Sequence, residues 1–367
     1  MTARLDTSSG DGNQRGVVTL NEIRQQPDLW PTTLERVASS NAHSIVKDRS
    51  TVICGAGSSA YAASAIAATW ANAVAIPTTD LLTLSREEVS HLVPAFASNG
   101  VLVSVARSGE SPESVGVIAR VKQMFPKVAH LAITCNQDGE LARLPEVSPL
   151  VLDPRTNDRS LVMTGSFSNL LLAGMAITCG AFLSKQLPGI VAKLNETFPI
   201  LEKIAQRLAS QSPARLMVLT SAALVPLARE ASLKALEMTA GRTVAVHETF
   251  LGVRHGPMSF LRPDSLVLCV LSANAERRRF EQDVLRELRQ KKLGHVVVVA
   301  SENSGAEFGN DFVPAVAPNL PDDLRGPFEI VFPQLLAYHL SLASQLDPDN
   351  PSPDGVITRV VQRFQLH

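Results

Sequence analysis

The chain is poor in aromatic side chains: they make up 5% of 367 residues, with 2 tryptophans and 2 tyrosines. A stacking platform for single-stranded nucleic acid needs rings in series, and this sequence offers few. It also lacks an excess of either charge. With 34 Lys+Arg against 35 Asp+Glu the net charge is -1, so no overall field draws polyanions or an anionic membrane. A negative ligand must be held by local chemistry. Cysteine is sparse too. Cys54, Cys135, Cys179 and Cys269 are far apart and each lies in or beside an apolar run. No pair has metal-ligand spacing, so they read as buried, reduced thiols. The opening MTARLDTSSGDGNQRG has no apolar signal core and reads as a disordered leader. The longest apolar run, LLLAGMAITCGAFL (170–183), is too short to cross a bilayer and is expected as a buried helix. These absences predict a soluble, cytoplasmic protein, and 45% apolar with 19% charged residues is an ordinary globular balance.

What is present is a rhythm. Residues 18–48 place Ile23, Leu29, Trp30, Leu34 and Val37 at helical spacing, and the two prolines of QQPDLWP are expected to break the helices there. From Thr51 short apolar runs alternate with helix-length stretches: TVIC (51–54), VAIPTT (74–79), VLVSVA (101–106), VAHLAITC (128–135) and PLVLD (149–153). After a long apolar helix the rhythm repeats in RLMVLT (215–220), TVAVHE (243–248), LVLCVLS (266–272), HVVVVAS (295–301) and FVPAVA (312–317). Strands alternating with helices predict parallel sheets covered on both faces. The pattern predicts two five-strand α/β units, a duplication offset by about 165 residues. The helical segment 189–211 reads as the connector between them, and DPDNPSPDGV as a Pro/Asp-rich loop in the tail.

In such sheets ligands sit beyond the carboxyl ends of the strands, where strand order reverses. Two strand ends of the first half carry small polar residues there, CGAGSSAY (54–61) and SVARSGESPES (104–114). Each runs from strand through a Gly turn to a helix start, where free N–H groups and the dipole favour an anion. Hydroxyls of Ser58, Ser59, Ser108 and Ser111 add donors without charge, a combination suited to a phosphate monoester. Ser111 before Pro112 is equally an N-cap, and Ser58 or Ser59 could cap as well. Ser104 lies inside its strand and Ser114 inside its helix, so both read as structural. GAGSSA lacks the third glycine of G-x-G-x-x-G, and no acidic residue closes the second strand, so a nucleotide is the weaker option.

The second half supplies ionisable groups. In AREASLKALEMTAG (228–241), Glu230, Lys234 and Glu237 fall on one helix face amid alanine and leucine, so part of that stripe should be enclosed. A carboxylate near an apolar wall has a raised pKa and can act as a base. HETFLGVRHGPMSF (247–260) follows, with His255 on a Gly-Pro turn and His247 at a strand end. A zinc site from these two lacks further ligands at sensible spacing, so no metal is expected.

CGAGSSAYA, ARSGESPESV, LAREASLKALEMTAG and LGVRHGP resemble the motifs of the sugar isomerase (SIS) family. They are most similar to its AgaS-type branch: tagatose-6-phosphate ketose/aldose isomerases or galactosamine-6-phosphate deaminases. The resemblance runs from EIRQQPDLW through MTGSFSNLLL to NPSPDGVITRVVQ. It implies two tandem SIS domains, each a five-stranded parallel sheet flanked by helices in a flavodoxin-like three-layer sandwich. The boundaries expected are a leader with helices (1–48), a first domain (49–188), a second (189–346) and a tail over the active site (347–367). It implies phosphate binding at Ser59, Arg107, Ser108 and Ser111, with Ser58 also among the substrate-binding residues, and a sugar chain lined by Thr164 and Ser166. Glu237 matches the enolisation base, Lys234 the lysine near the first hydroxyls, and His255 the ring-opening histidine, which in relatives often serves a neighbouring subunit.

The expected activity is aldose–ketose isomerisation or deamination of a hexose 6-phosphate or 2-amino-hexose 6-phosphate through an enediol or enolamine. No cofactor, nucleic acid or membrane is expected, and a homodimer or homotetramer is. A related synthase carries a tail lysine able to form an imine. Here the tail after Asp347 has none, only Arg359 and Arg363, which leaves base-driven enolisation as the simpler route. That synthase has a glutamine where Arg107 stands, so Arg107 is an added cationic contact. The other reading, a non-catalytic phosphosugar regulator on the same fold, has no chemical reason to keep Lys234, Glu237 and His255 together.

Overall fold

Short β-branched runs become strands, and the helix-length stretches between them cover both sheet faces. The computed structural model describes residues 15–301, 312–352, 354–362 and 364–366. Most of the expected leader, and Arg363, lie outside the described residues. The first sheet holds β1 (Ser50–Cys54), β2 (Ala73–Ala75), β3 (Gly100–Ala106), β4 (Ala129–Thr134) and β5 (Val147–Val151), all parallel, in the order 2-1-3-4-5. The second holds β6 (Arg215–Thr220), β7 (Val244–Thr249), β8 (Leu266–Val270), β9 (His295–Ala300) and β10 (Phe312–Pro314), in the order 10-9-8-6-7. Counted from β6, this is the same doubly wound order, so the duplication read as a rhythm is a duplication of topology.

The strands are buried on both faces with a period of two. In β3, Val101, Val103 and Val105 face one core while Leu102 and Ala106 face another. In β8, Leu266, Leu268 and Val270 join that first core, and Val267 and Cys269 face a third. The inner faces of both sheets therefore share one hydrophobic layer. It is filled by the helices Ser58–Ala67, Gly165–Ala209, Val225–Met238 and Val331–Ala343. This shared layer fixes the first sheet against the helix that carries Lys234 and Glu237.

Several elements differ from the sequence reading. The apolar run 170–183 and the expected connector 189–211 belong to one 45-residue helix, Gly165–Ala209, bent at Cys179. Residue 188 lies inside it. Its apolar stretch is long enough to cross a membrane, but most of that stretch is buried in the protein, as for a core helix. The expected break in QQPDLWP falls at its first proline, between the helices Val17–Arg24 and Gln26–Ala38, and not at its second. Pro27 is the second residue of Gln26–Ala38, in the first turn where its missing N–H costs nothing, and Pro31 lies within that helix. LTLSREEVSHLVPAF forms not one helix but short ones, Thr78–Thr83, Arg86–Leu92 and Phe96–Asn99. The second begins at a capping box in which Ser85 accepts from the Glu88 N–H and Glu88 accepts from the Ser85 N–H. Two buried helices, Asp322–Glu329 and Val331–Ala343, follow the last strand.

Candidate active site

The strand order of the first sheet reverses between β1 and β3, and the turns leaving these two neighbours open onto a cavity of about 550 Å³. The β1 turn, Gly55-Ala56-Gly57, leads into Ser58 and Ser59. A Cβ on Gly55 would meet the Ser59 carbonyl oxygen at 2.4 Å, and Gly57 has φ +57°, ψ -128°, a conformation that favours glycine. The β3 turn runs Arg107-Ser108-Gly109-Glu110-Ser111 into the helix Pro112–Met124. The Ser111 hydroxyl accepts from the Ser114 N–H at 3.3 Å, so it is an N-cap, and it also lines the cavity. The Asn136 side chain pins this turn from β4 by donating to the Ser108 carbonyl at 3.1 Å.

Facing these turns is the helix Val225–Met238 of the second half. Lys234 Nζ stands 2.5 Å from Glu237 Oε2 and 3.5 Å from Glu230 Oε1. The three are graded in exposure: Glu230 0%, Lys234 1%, Glu237 25% of the side chain. The stripe thus runs from the core to the cavity, where Lys234 and Glu237 are both in the wall. Burial works against the Lys234 ammonium, but Glu230 and Glu237 outweigh it and hold its pKa above the usual lysine value. Burial pushes the Glu230 carboxyl up to about 7, with Lys234 pulling the other way. The arrangement supplies one enclosed cation beside one accessible carboxylate.

Two further walls close the cavity. Leu161, Val162 and Met163 form one, and the tail from Gly355 to Gln362 forms the other. Arg107, 7% exposed, ties them together: Nη1 donates to the Leu161 carbonyl at 3.1 Å and Nη2 to the Arg359 carbonyl. Behind the first wall lies a buried acidic pair. Glu22 accepts from the Arg159 N–H at 2.5 Å and from the Ser160 hydroxyl. Asp158 Oδ2 accepts from the N–H groups of Thr164 and Ser166 at 2.7 and 2.9 Å and from the Ser166 hydroxyl at 2.5 Å. Burial raises the pKa of both carboxyls, and their mutual repulsion adds to the rise at Glu22. The EIRQQPDLW motif is thereby explained. Glu22, Gln25 and Trp30 hold the Arg159–Ser160 backbone, the Arg155 carbonyl and the Ser168 hydroxyl in place.

Seven of the ten sequence-predicted site residues fall in the wall of the cavity and three outside it. Ser58, Ser59, Arg107, Ser108, Ser111, Lys234 and Glu237 all line it. Thr164 and Ser166 do not. Both are fully buried behind the Leu161–Met163 wall at the start of the long helix, and the Ser166 hydroxyl is taken up by Asp158. Nor does His255, which is exposed on the turn Gly252–His255 and is absent from the wall of its own chain's cavity. Among the described residues no group of three or more His, Cys, Asp or Glu could hold a metal ion. The sequence reading missed the Leu161–Met163 wall and the place of Arg359. The available signal was the polar run DPRTNDRS directly before an apolar helix, which marks a loop with work beyond connection.

The corresponding turn in the second half is filled. Beyond β8, Ser272 Oγ and the Ala273 N–H donate to the Asp322 carboxylate at 2.5 and 2.8 Å, and Arg277 and Arg325 pair with it at 2.6 and 3.3 Å. Burial works to raise the Asp322 pKa, but these donors outweigh it and hold the group below the usual carboxylate range.

No family model matches the sequence. Individual proteins do. An AgaS protein of Streptomyces coelicolor is 35% identical over 376 residues, covering 96% of this chain and 95% of that one. The D-galactosamine-6-phosphate deaminase AgaS of Escherichia coli is 30% identical, covering 96% of each. Among solved structures, the tagatose-6-phosphate ketose/aldose isomerase of Escherichia coli superimposes with a TM-score of 0.82 at 28% identity, covering 94% of this chain and 96% of that one. Fold and site define an enzyme of the sugar isomerase type, two parallel five-stranded sheets sharing one cavity. Within that class, the chain belongs to the AgaS family of phosphosugar isomerases and deaminases.

Proposed function

We propose that this enzyme converts a 2-amino-hexose 6-phosphate, D-galactosamine 6-phosphate foremost, into the corresponding 2-keto-hexose 6-phosphate and ammonia in the cytoplasm. The observation that carries the reading is the Lys234–Glu237 pair, 2.5 Å apart and facing the serine turns across one cavity. Ser59, Ser108 and Ser111 hold the phosphate together with the N-terminus of the helix Pro112–Met124. The open-chain substrate then presents its C1 aldehyde and C2 hydrogen to the helix Val225–Met238.

Glu237 takes the C2 proton, and the electron pair moves through C1 to the aldehyde oxygen, giving an enolamine. Lys234 stabilises the developing oxyanion. Its own charge is secured by the two flanking carboxylates. Return of a proton to C1 places the double bond between C2 and nitrogen, and water hydrolyses this imine to the ketone and ammonia. The substrate's own carbonyl is the electron sink, so the step balances without an external oxidant. With oxygen in place of nitrogen at C2, the same two proton transfers give isomerisation.

His255 is the ring-opening acid–base in this proposal, acting in the cavity of a second copy within a homodimer or homotetramer. Its exposure on a turn outside its own chain's cavity supports that assignment. A coupled assay of ammonia release tests the function. Galactosamine 6-phosphate should yield ammonia and tagatose 6-phosphate in equal amounts, faster than glucosamine 6-phosphate yields fructose 6-phosphate. Absence of ammonia from both amino sugars would reduce the reading to isomerisation.

A further inference from the structure

The C-terminal tail brings a second guanidinium to the cavity. Arg359 Nε and Nη2 donate to the Asp158 carbonyl at 2.8 and 2.6 Å, and Nη2 also to Asn157 Oδ1 at 2.6 Å. Its own carbonyl receives Arg107 Nη2, so the two arginines stand side by side in the wall. Neither makes an ion pair with a carboxylate among the described residues. The acidic group nearest in effect to Arg107 is Asp158, which favours its charge while Arg359 opposes it. Yet Asp158 Oδ2 is already occupied by three donors from Thr164 and Ser166. Glu113, the other carboxylate of the wall besides Glu237, pairs with neither arginine. The hydrogen-bond partners that hold both guanidiniums are neutral carbonyl and amide oxygens, so neither cation is directly paired, although Asp158 and Glu237 favour the Arg107 charge from a distance. Lys234 differs in having two carboxylates of its own. Arg107 and Arg359 line the same cavity as Ser108 and Ser111, and two cations with two hydroxyls in one wall suit a dianion.

We infer that Arg107 and Arg359 form a clamp for the substrate's phosphoryl group, so that the anion fastens the tail over the cavity. The inference rests on the phosphosugar reading above and adds a positioning residue to it. Arg359 arrives only with the tail. Closure therefore depends on the phosphate, and a sugar without one leaves the tail unfastened and the cavity open to water. Since the tail contributes Gly355 through Gln362 to the wall, fastening it also excludes solvent from the Lys234–Glu237 pair.

Hydrogen–deuterium exchange of the tail (residues 354–366) reads this directly, with inorganic phosphate as the probe and sodium chloride of equal ionic strength as the control. Phosphate should slow exchange in the wild type and leave it unchanged in Arg359→Gln and Arg107→Gln. Arg359→Lys, which keeps the charge but loses the fork, should recover part of the response. In turnover, Arg359→Gln should raise KM roughly tenfold or more, the cost of a lost charge-assisted hydrogen bond, with a much smaller change in kcat. A phosphate response that persists in both glutamine variants, or an unaltered KM in Arg359→Gln, overturns the clamp. If the clamp fails while ammonia is released, the deaminase reading stands. If the tail responds to phosphate but no amino-sugar phosphate is turned over, the clamp stands and the deaminase reading falls.

Discussion

The turns that follow β3 and β8 occupy the same place in two copies of one topology, and they have opposite contents. Beyond β3 the donors of Arg107, Ser108 and Ser111 surround an open cavity. Beyond β8 the donors of Ser272, Ala273, Arg277 and Arg325 converge on the protein's own Asp322. A doubly wound sheet generates an anion-seeking crevice at each reversal of strand order. Here one crevice is left for a ligand and the other is closed by a carboxylate from the chain itself. The second half contributes the Glu230–Lys234–Glu237 helix to the cavity wall instead. In the proposed function, duplication separates two tasks that a single unit would have to combine: holding the anion and moving the proton.

If that division is right, the two halves should respond differently to the same kind of substitution. The largest effect is expected at Asp322. Asp322→Ala removes the internal anion and leaves Arg325, 2% exposed, without one of its two acidic partners, the other being Glu329. Stability should fall by about 3–5 kcal/mol in urea unfolding, with KM for the sugar phosphate unaltered. A change in KM without loss of stability would mean that the β8 turn takes part in binding.

Next comes a pH effect from the helix Val225–Met238. The Glu230 carboxyl titrates at about 7 in the folded chain against an ordinary value of 4.5, so the folded state holds its proton more tightly. Its contribution to stability is complete below the unfolded value and is lost as pH rises through about 7. Glu230→Gln should therefore flatten the stability–pH curve between these values, measured by thermal unfolding. An unchanged curve would show that Glu230 is fully ionised when folded.

The smallest effect is expected at Ser111. Ser111→Ala loses the N-cap of Pro112–Met124, about 1 kcal/mol of stability, and the phosphate donor of the proposed function besides. KM should rise while kcat holds. Loss of stability alone would make Ser111 a cap and nothing more.

The parts of this scheme legible in the sequence are those written in local pattern. All ten strands were readable from short apolar runs, and Ser108, Ser111, Lys234 and Glu237 from turn chemistry and helical spacing. Contacts between distant segments left no such mark. Glu22 reaches Arg159 across 137 residues, and Arg359 reaches Asp158 across 201, so neither partner announces the other. The family resemblance implies Thr164 and Ser166 as sugar contacts, but the buried Asp158 turns that helix start inward. The helix Asp322–Glu329 carries an interior proline, Pro327, and Val331–Ala343 has Pro333 in its first turn, and both interrupt the helical pattern in the sequence.

The account rests on Glu237 moving a proton from a substrate that the other half of the molecule holds. Glu237→Gln separates these tasks in one preparation. Its dissociation constant for the sugar phosphate is measured calorimetrically, and its single-turnover rate of ammonia release is measured on the same sample. The account predicts binding close to wild type and a rate lower by about a thousandfold, within the range for loss of a general base. A variant that still releases ammonia at a rate comparable to wild type would contradict it.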